Sequence, residues 1–304
     1  MAKNHLNGFL PMDIQNKLKN NISLKELTTF RIGGETKYLL EAKNREEIIE
    51  AVKLAQKKRV PFFVLGTGSN TLVNDKKYKG LVIKIQDTRY KIQNTIIEVE
   101  AGVALGKIVG LAFQNSLAGM EWAIGIPGTV GGAVYGNAGA FGKSMGDVVE
   151  EVEAIDTENF KFQISNFKNK ECRFEYRNSI FKKNKNLIIL SVKIKLQPGN
   201  KTEIEKKMKD FFQIKKQTQP LEYFSAGSVF KNPEGFSAGK LVEQSGLKGK
   251  RIGKAQISNK HSNFIVNMDN AKAKDVKKLV NLVKKTVKKK FNIDLEEEIQ
   301  YLNF

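Results

Sequence analysis

Residues 125–142 read GIPGTVGGAVYGNAGAFG. Glycine stands at 125, 128, 131, 132, 136, 139 and 142, a density that would wreck a regular helix, since each interior glycine costs about 1 kcal/mol relative to alanine. A flexible linker would be as rich in glycine, but linkers seldom carry Ile124, Ile126, Val130, Val134, Tyr135 and Phe141. The stretch reads as a packed loop in which missing side chains let bare backbone approach a ligand.

A second glycine segment lies upstream. Phe62-Phe63-Val64-Leu65, after Pro61, reads as a buried strand and runs directly into Gly66-Thr67-Gly68-Ser69-Asn70. Glycines there would admit phosphate oxygens to backbone N–H groups, and Ser69 and Asn70 add side-chain donors. The segment is not a Rossmann fingerprint: Thr71 stands where the third glycine belongs, and Leu72-Val73-Asn74-Asp75-Lys76 opens no amphipathic helix. No Gly-Lys-Ser/Thr closes a Walker loop either. Alone, the segment fits a tight turn as well as a nucleotide loop. Together, the two glycine segments suit a long dinucleotide cofactor lying between two subdomains.

Around these loops the pattern mixes helices and strands without regular βαβ order, which indicates α+β. Asn44-Arg45-Glu46-Glu47 resembles a capping box and starts a helix with Ile48, Val52 and Ala55 on one face. Leu81–Ile85 and Ile96–Val99 read as strands and Leu105–Phe113 as a helix. Leu190, Val192, Ile194 and Leu196 alternate with polar residues, as a half-buried strand does. Pro198-Gly199-Asn200 breaks the chain, and a domain boundary is expected there. Thr202–Glu205 reads as a second capping box, opening a helix with Ile204, Met208 and Phe211 inward. A short helix ends near Gly246. A last long helix carries Val276, Leu279, Val280, Val283 and Val287 inward, with Lys284–Lys290 on its polar face.

The 304 residues, 40% hydrophobic and 28% charged, describe an ordinary globular chain. No apolar run reaches the ~20 residues of a membrane span, and Met1–Pro11 lacks the apolar core of a signal peptide. A single cysteine, Cys172, excludes an internal disulfide, suits a reducing cytoplasm and reads as buried packing. Two histidines and one cysteine are too few for a zinc site. The net charge of +20 admits two readings: a nucleic-acid or membrane-surface binder, or a lysine-rich solvated background that attracts small anions. The second is favoured, because no stacking-aromatic or arginine-rich reading segment accompanies the charge.

FFVLGTGSN at 62–70 and the 125–142 stretch resemble the two cofactor loops of the UDP-N-acetylenolpyruvoylglucosamine reductases. The likeness continues in order through TTFRIGG (28–34), CRFEYRNSIF (172–181), SAGSVFKNPEG (225–235), AGKLVEQSGLKG (238–249), QISNKHSNFIVN (256–267) and LEEEI (295–299). It covers Leu24 to Phe304. The resemblance implies a two-subdomain FAD-binding fold of the vanillyl-alcohol oxidase and p-cresol methylhydroxylase type at 1–198, split near 75–80. A C-terminal α+β substrate-binding domain would follow at 199–304.

By the same resemblance, hydride passes from NADPH to non-covalent FAD and on to the methylene carbon of an enolpyruvyl ether, and the neighbouring carbon is then protonated. Such chemistry needs a cation at the substrate carboxylate and a proton donor on the correct face. Arg177 matches the cation, Ser228 the proton donor and Glu298 the polarising acid. The choice of Glu298 over Glu296 or Glu297 rests on alignment register alone. Gly66, Thr67, Gly68, Ser69, Asn70, Ile126, Pro127, Gly128, Gly131 and Gly132 match cofactor-binding positions. Lys231, Asn232, Lys240 and His261 match contacts to the substrate diphosphate or sugar. Neither histidine lies in a glycine loop, which speaks against a covalent flavin.

The chain resembles the branch of the family without an inserted tyrosine loop, since only Lys182–Asn186 separates Ser179-Ile180-Phe181 from the next strand. Its diphosphate contacts must come from elsewhere. Tyr223-Phe224 and Lys254 also depart from the family pattern. The expectation is a cytoplasmic, monomeric enzyme of peptidoglycan precursor synthesis acting on a UDP-sugar. The alternatives are another FAD-dependent oxidoreductase of the same fold and a basic nucleic-acid-binding protein.

Overall fold

In a computed structural model, residues 14–158 and 162–304 are described, so the reading of Met1–Pro11 lies outside the described residues. Three sheets organise the chain. The first has four strands in the order Lys19–Ser23, Glu35–Ala42, Tyr78–Ile85 and Phe62–Leu65. Its first pair is antiparallel and the others parallel. The second is antiparallel, ordered Gln163–Lys168, Val149–Asp156, Leu187–Lys195, Ile96–Glu100 and Tyr90–Gln93. The third, also antiparallel, is ordered Phe224–Ser228, Phe264–Asn267, Ala255–Ile257 and Arg251–Ile252. A short parallel pair, Thr71–Val73 with Gln300–Leu302, ties the chain's end to the strand after the first glycine loop.

The helices follow their apolar stripes. Helix α1, Arg45–Lys57, buries Ile48, Ala51, Val52, Leu54 and Ala55. Asn44 Oδ1 accepts from the Glu47 N–H at 2.9 Å, but the Glu47 carboxylate reaches Lys43 N rather than Asn44 N, so the box is displaced by one residue. Helix α2 is Leu105–Gln114. The packed loop expected at 125–142 contains a short helix, α3, at Val130–Tyr135. Its first turn is sustained by the Thr129 hydroxyl, which accepts from Gly132 N at 3.2 Å. Gly131 is required by approach, because a Cβ there would lie 2.7 Å from Ala101 Cβ. Local propensity yields here to a cap and a close contact.

Helix α4, Ile180–Lys183, precedes α5 at Lys201–Thr218. The cap of α5 is Asn200, whose Oδ1 accepts from Thr202 N and Glu203 N at 2.9 and 3.2 Å, so no box forms at Thr202–Glu205. Met208 and Phe211 face inward, against the core beneath the first two sheets, and Ile204 is buried beside Gly199. Helix α6 is Ala238–Gln244, and α7, Ala273–Phe291, buries Val276, Leu279, Val280, Val283 and Val287. These two helices share a second core with the third sheet, joined by Phe30, Ile32 and Leu72 from early in the chain. Cys172 is buried and free, with its thiol pushed up to about 12 by burial. Among the described residues no helix is long and apolar enough to cross a membrane.

One charge is buried without a carboxylate. Lys215, on α5, is 4% exposed and donates to the Ile124 carbonyl at 2.6 Å, beside the stacked rings of Phe141 and Phe211. Burial pulls its ammonium down to about 8 from an ordinary value of 10.5. Between those values the unfolded chain holds a proton that the folded chain has lost, so this group's contribution to stability rises with pH. The rise is up to about 3 kcal/mol across the window. Urea unfolding at pH 7.5 and 9.5 should therefore show wild type gaining on Lys215→Met as pH rises. A constant gap would show that Lys215 stays protonated.

Candidate active site

The two glycine loops meet. Ser69 Oγ donates to the Pro127 carbonyl at 3.1 Å. A Cβ on Gly66 would lie 2.6 Å from Thr129 Oγ1, so that position closes against the start of α3 only as glycine. Between the loops opens a cavity of about 530 Å³, within the range of cofactor sites. Phe62, Phe63 and Val64 line it together with Ile188 and Ile189. The strand expected to be buried is half-buried at Phe62, Phe63 and Val64, because it forms part of the wall of this space.

The cavity wall carries Gly66–Asn70, Pro127, Gly128, Gly131 and Gly132. Ile126 does not line it and packs against the first core. Asn70 turns its amide elsewhere: Nδ2 donates to the Glu298 carbonyl at 3.1 Å, while Asn70 O accepts from Gln300 N at 2.8 Å. The first loop is thereby clamped to the last strand.

Arg177, Ser228 and Glu298 lie on the same cavity, brought from three elements. Ser228 ends its strand opposite Phe264, and Glu298 N donates to Val229 O at 2.8 Å, which sets Glu298 beside it. Arg177 Nε is 2.8 Å from Glu298 Oε1. Burial raises the Glu298 carboxyl above its usual range, against the opposing pull of Arg177, Lys182 and Lys231. The three consecutive acids separate by direction. Glu297 turns to Lys277 and Lys284 on α7 at 3.1 and 2.9 Å, and Glu296 pairs with Lys231 at 2.5 Å.

Lys231, Asn232, Lys240 and His261 do not line the cavity. Lys231 is electrostatically close enough to act on Glu298. Asn232 Oδ1 accepts from Ala238 N at 3.0 Å at the start of α6, and its own N–H donates to the Tyr176 hydroxyl at 3.2 Å. Lys240 is exposed on α6. His261 Nδ1 accepts from Asn263 N at 3.2 Å, and burial lowers its proton affinity. Residues on the cavity that sequence reasoning did not single out include Thr129, Tyr135, Lys182, Lys185, Gln300 and Tyr301. Only Lys182 and Lys185 carry a signal in the sequence, as two cations in the short Lys182–Asn186 connection that stands where the tyrosine loop is missing. Tyr223 and Phe224 line an adjoining hollow of about 590 Å³, where Arg31 lies 5.5 Å above the Phe224 ring.

Residues 36–159 match the model of an FAD binding domain, and residues 219–302 that of the UDP-N-acetylenolpyruvoylglucosamine reductase C-terminal domain. A UDP-N-acetylenolpyruvoylglucosamine reductase of Caldanaerobacter subterraneus subsp. tengcongensis is 45% identical over 94% of this chain and 94% of its own. One from Clostridium tetani is 38% identical over 97% of each chain. The crystal structure of UDP-N-acetylenolpyruvylglucosamine reductase from Thermus caldophilus aligns with a TM-score of 0.80 at 35% identity, covering 93% of this chain and 99% of that one.

Proposed function

The chain belongs to the UDP-N-acetylenolpyruvoylglucosamine reductase family, and from that premise we propose that it reduces UDP-N-acetylenolpyruvoylglucosamine to UDP-N-acetylmuramate with NADPH, through FAD. The reaction is an early step of peptidoglycan precursor synthesis, placed in the cytoplasm. The observation that carries the reading is the meeting of Arg177, Ser228 and Glu298 on a cavity walled by two glycine loops.

The walls suit FAD. Backbone at Gly66–Ser69 and at Gly128, Gly131 and Gly132 is bare enough to hold a pyrophosphate, and Phe62, Val64, Ile188 and Ile189 offer apolar surface to flat rings. When bound, FAD supplies hydride transfer between nicotinamide and enolpyruvyl group. The chain's own residues do the rest. Arg177 Nε lies 2.8 Å from Glu298 Oε1 as an ion pair without hydrogen-bond alignment, and the two terminal amino groups form a fork for the substrate carboxylate and the negative charge that develops beside it. The Ser228 hydroxyl, which has no hydrogen-bond partner among the described residues, gives its proton to the carbon that the hydride does not reach. Glu298, raised by burial, polarises this end of the site. Lys231, Asn232, Lys240 and His261 are assigned to the diphosphate and sugar, and residues 199–304 to the substrate domain. The protein acts as a monomer.

Neither glycine loop contains a histidine or cysteine to bond the cofactor. Acid precipitation of the purified yellow protein should therefore leave free FAD in the supernatant. Colour retained in the pellet, or release of FMN, would overturn this reading of the loops.

A further inference from the structure

We propose that Lys182 is a positioning residue for Arg177, holding its peptide carbonyl so that the guanidinium meets the substrate carboxylate from a fixed direction; this rests on the function proposed above. Arg177 is the second corner of a tight turn between Glu175 and Asn178, closed by two reciprocal backbone hydrogen bonds of 3.1 Å, and its φ is 54°. A residue with a Cβ is held in that left-handed region against a cost of roughly 1 kcal/mol or more, and stays there only where its surroundings over-determine it. Two anchors act on the flanks of the turn. Asn137 Nδ2 donates to Glu175 O at 2.8 Å, and Ser179 Oγ to Tyr135 O at 2.7 Å. Neither touches the peptide of Arg177. Lys182 does: from α4 its ammonium donates to the Arg177 carbonyl at 3.0 Å.

The donor is an ammonium at the end of a long stem, which glutamine, neutral and one bond shorter, does not reproduce, and its charge calls for its own explanation. Lys182 lines the cavity, and the carbonyl is the only hydrogen-bond acceptor of its ammonium among the described residues. Lys231 is committed to Glu296. Arg177 and Lys182 thus set two positive charges against the single carboxylate of Glu298. Burial and the neighbouring cations of Lys231 and Arg177 lower the proton affinity of Lys182, while Glu298 and Glu296 hold it up. Such a surplus fits a wall that receives an anionic ligand, and the ammonium that reinforces the field also fixes the direction of the fork.

The test uses FAD-loaded enzyme in stopped flow. Lys182→Gln should keep its flavin content and its bleaching by NADPH, while reoxidation by the enolpyruvyl sugar slows roughly 10- to 100-fold, the scale of a misdirected reacting group. Lys182→Arg should recover to within about 3-fold, since a guanidinium can still charge the wall and hold the carbonyl. The double variant Lys182→Gln/Arg177→Lys should be little slower than Arg177→Lys alone, because both changes spoil one geometry. Titrating oxidised Lys182→Gln with the UDP-sugar, read by the flavin spectrum, should show a Kd raised by less than the reoxidation rate falls, because the lost charge weakens the field on the anionic ligand whereas the misdirected fork acts on the reacting step. Wild-type reoxidation in Lys182→Gln, or slowings that multiply in the double variant, would overturn the proposal and leave the function standing. A wild-type enzyme that the UDP-sugar does not reoxidise would overturn the function, and the proposal with it.

Discussion

Ser228→Ala should leave NADPH-driven bleaching of the flavin within about 2-fold of wild type while slowing reoxidation by the enolpyruvyl sugar at least ~100-fold, the lower end of what a positioned proton donor contributes. The expectation rests on how the residue is held. Its place is set by backbone: the pairing of Ser228 with Phe264, the bond from Val229 N to Asn263 O, and the bond from Glu298 N to Val229 O. Alanine keeps all three. The hydroxyl holds nothing else in place, so its loss should cost little stability and should not disturb Arg177 or Glu298. The effect is therefore confined to the half-reaction in which a carbon takes up a proton. Normal turnover in Ser228→Ala would show that water or another group supplies it. Lost NADPH reduction with intact reoxidation of chemically reduced flavin would place Ser228 in the nicotinamide site instead.

What the sequence made legible follows the range of the forces involved. Helix α7 and the strand Leu187–Lys195 could be read because a 3.6- or 2-residue period is written into their own residues. The short helix at Val130–Tyr135 could not, since its glycines argue against it and only the Thr129 cap and the approach to Ala101 allow it. The start of α5 differs from the expected box, because Asn200 and Thr202 are both competent caps and Asn200 takes the bonds from Thr202 N and Glu203 N. Phe62–Val64 are apolar but half-buried, which no local pattern can reveal, since the space they face is built by residues 127–139 and 187–189. The same distance dependence runs through the site. Arg177, Ser228 and Glu298 are legible through resemblance, whereas what separates Glu298 from its two acidic neighbours is the backbone running beside Val229–Lys231. Lys182 is legible as a cation in a short connection but not as a partner of Arg177, because the group it holds is a carbonyl, and carbonyls leave no mark on sequence.

Arg177→Ala should be the most damaging single change in the site, slowing reoxidation by about 10³-fold or more, while Arg177→Lys should slow it by roughly 10- to 100-fold. Lysine restores the charge but not the fork. Alanine removes both and strands a carboxylate, because Glu298 is largely buried and loses its 2.8 Å partner. Its proton affinity, already raised by burial, should rise further once the opposing pull of Arg177 is gone. The sign of the stability effect follows. A carboxyl whose folded-state proton affinity exceeds its unfolded value gives the folded chain more bound protons, so its contribution to stability falls as pH rises above the ordinary value of 4.5. With the affinity higher still in Arg177→Ala, the stability gap to wild type should widen from acid toward neutral pH and shrink again when Glu298→Gln is added. Added guanidinium ion should restore part of the reoxidation rate in Arg177→Ala and none in Ser228→Ala. A stability gap independent of pH would mean that Glu298 does not depend on Arg177 for its charge. Reoxidation in Arg177→Ala within about 10-fold of wild type would mean that the substrate carboxylate is received elsewhere on the cavity wall.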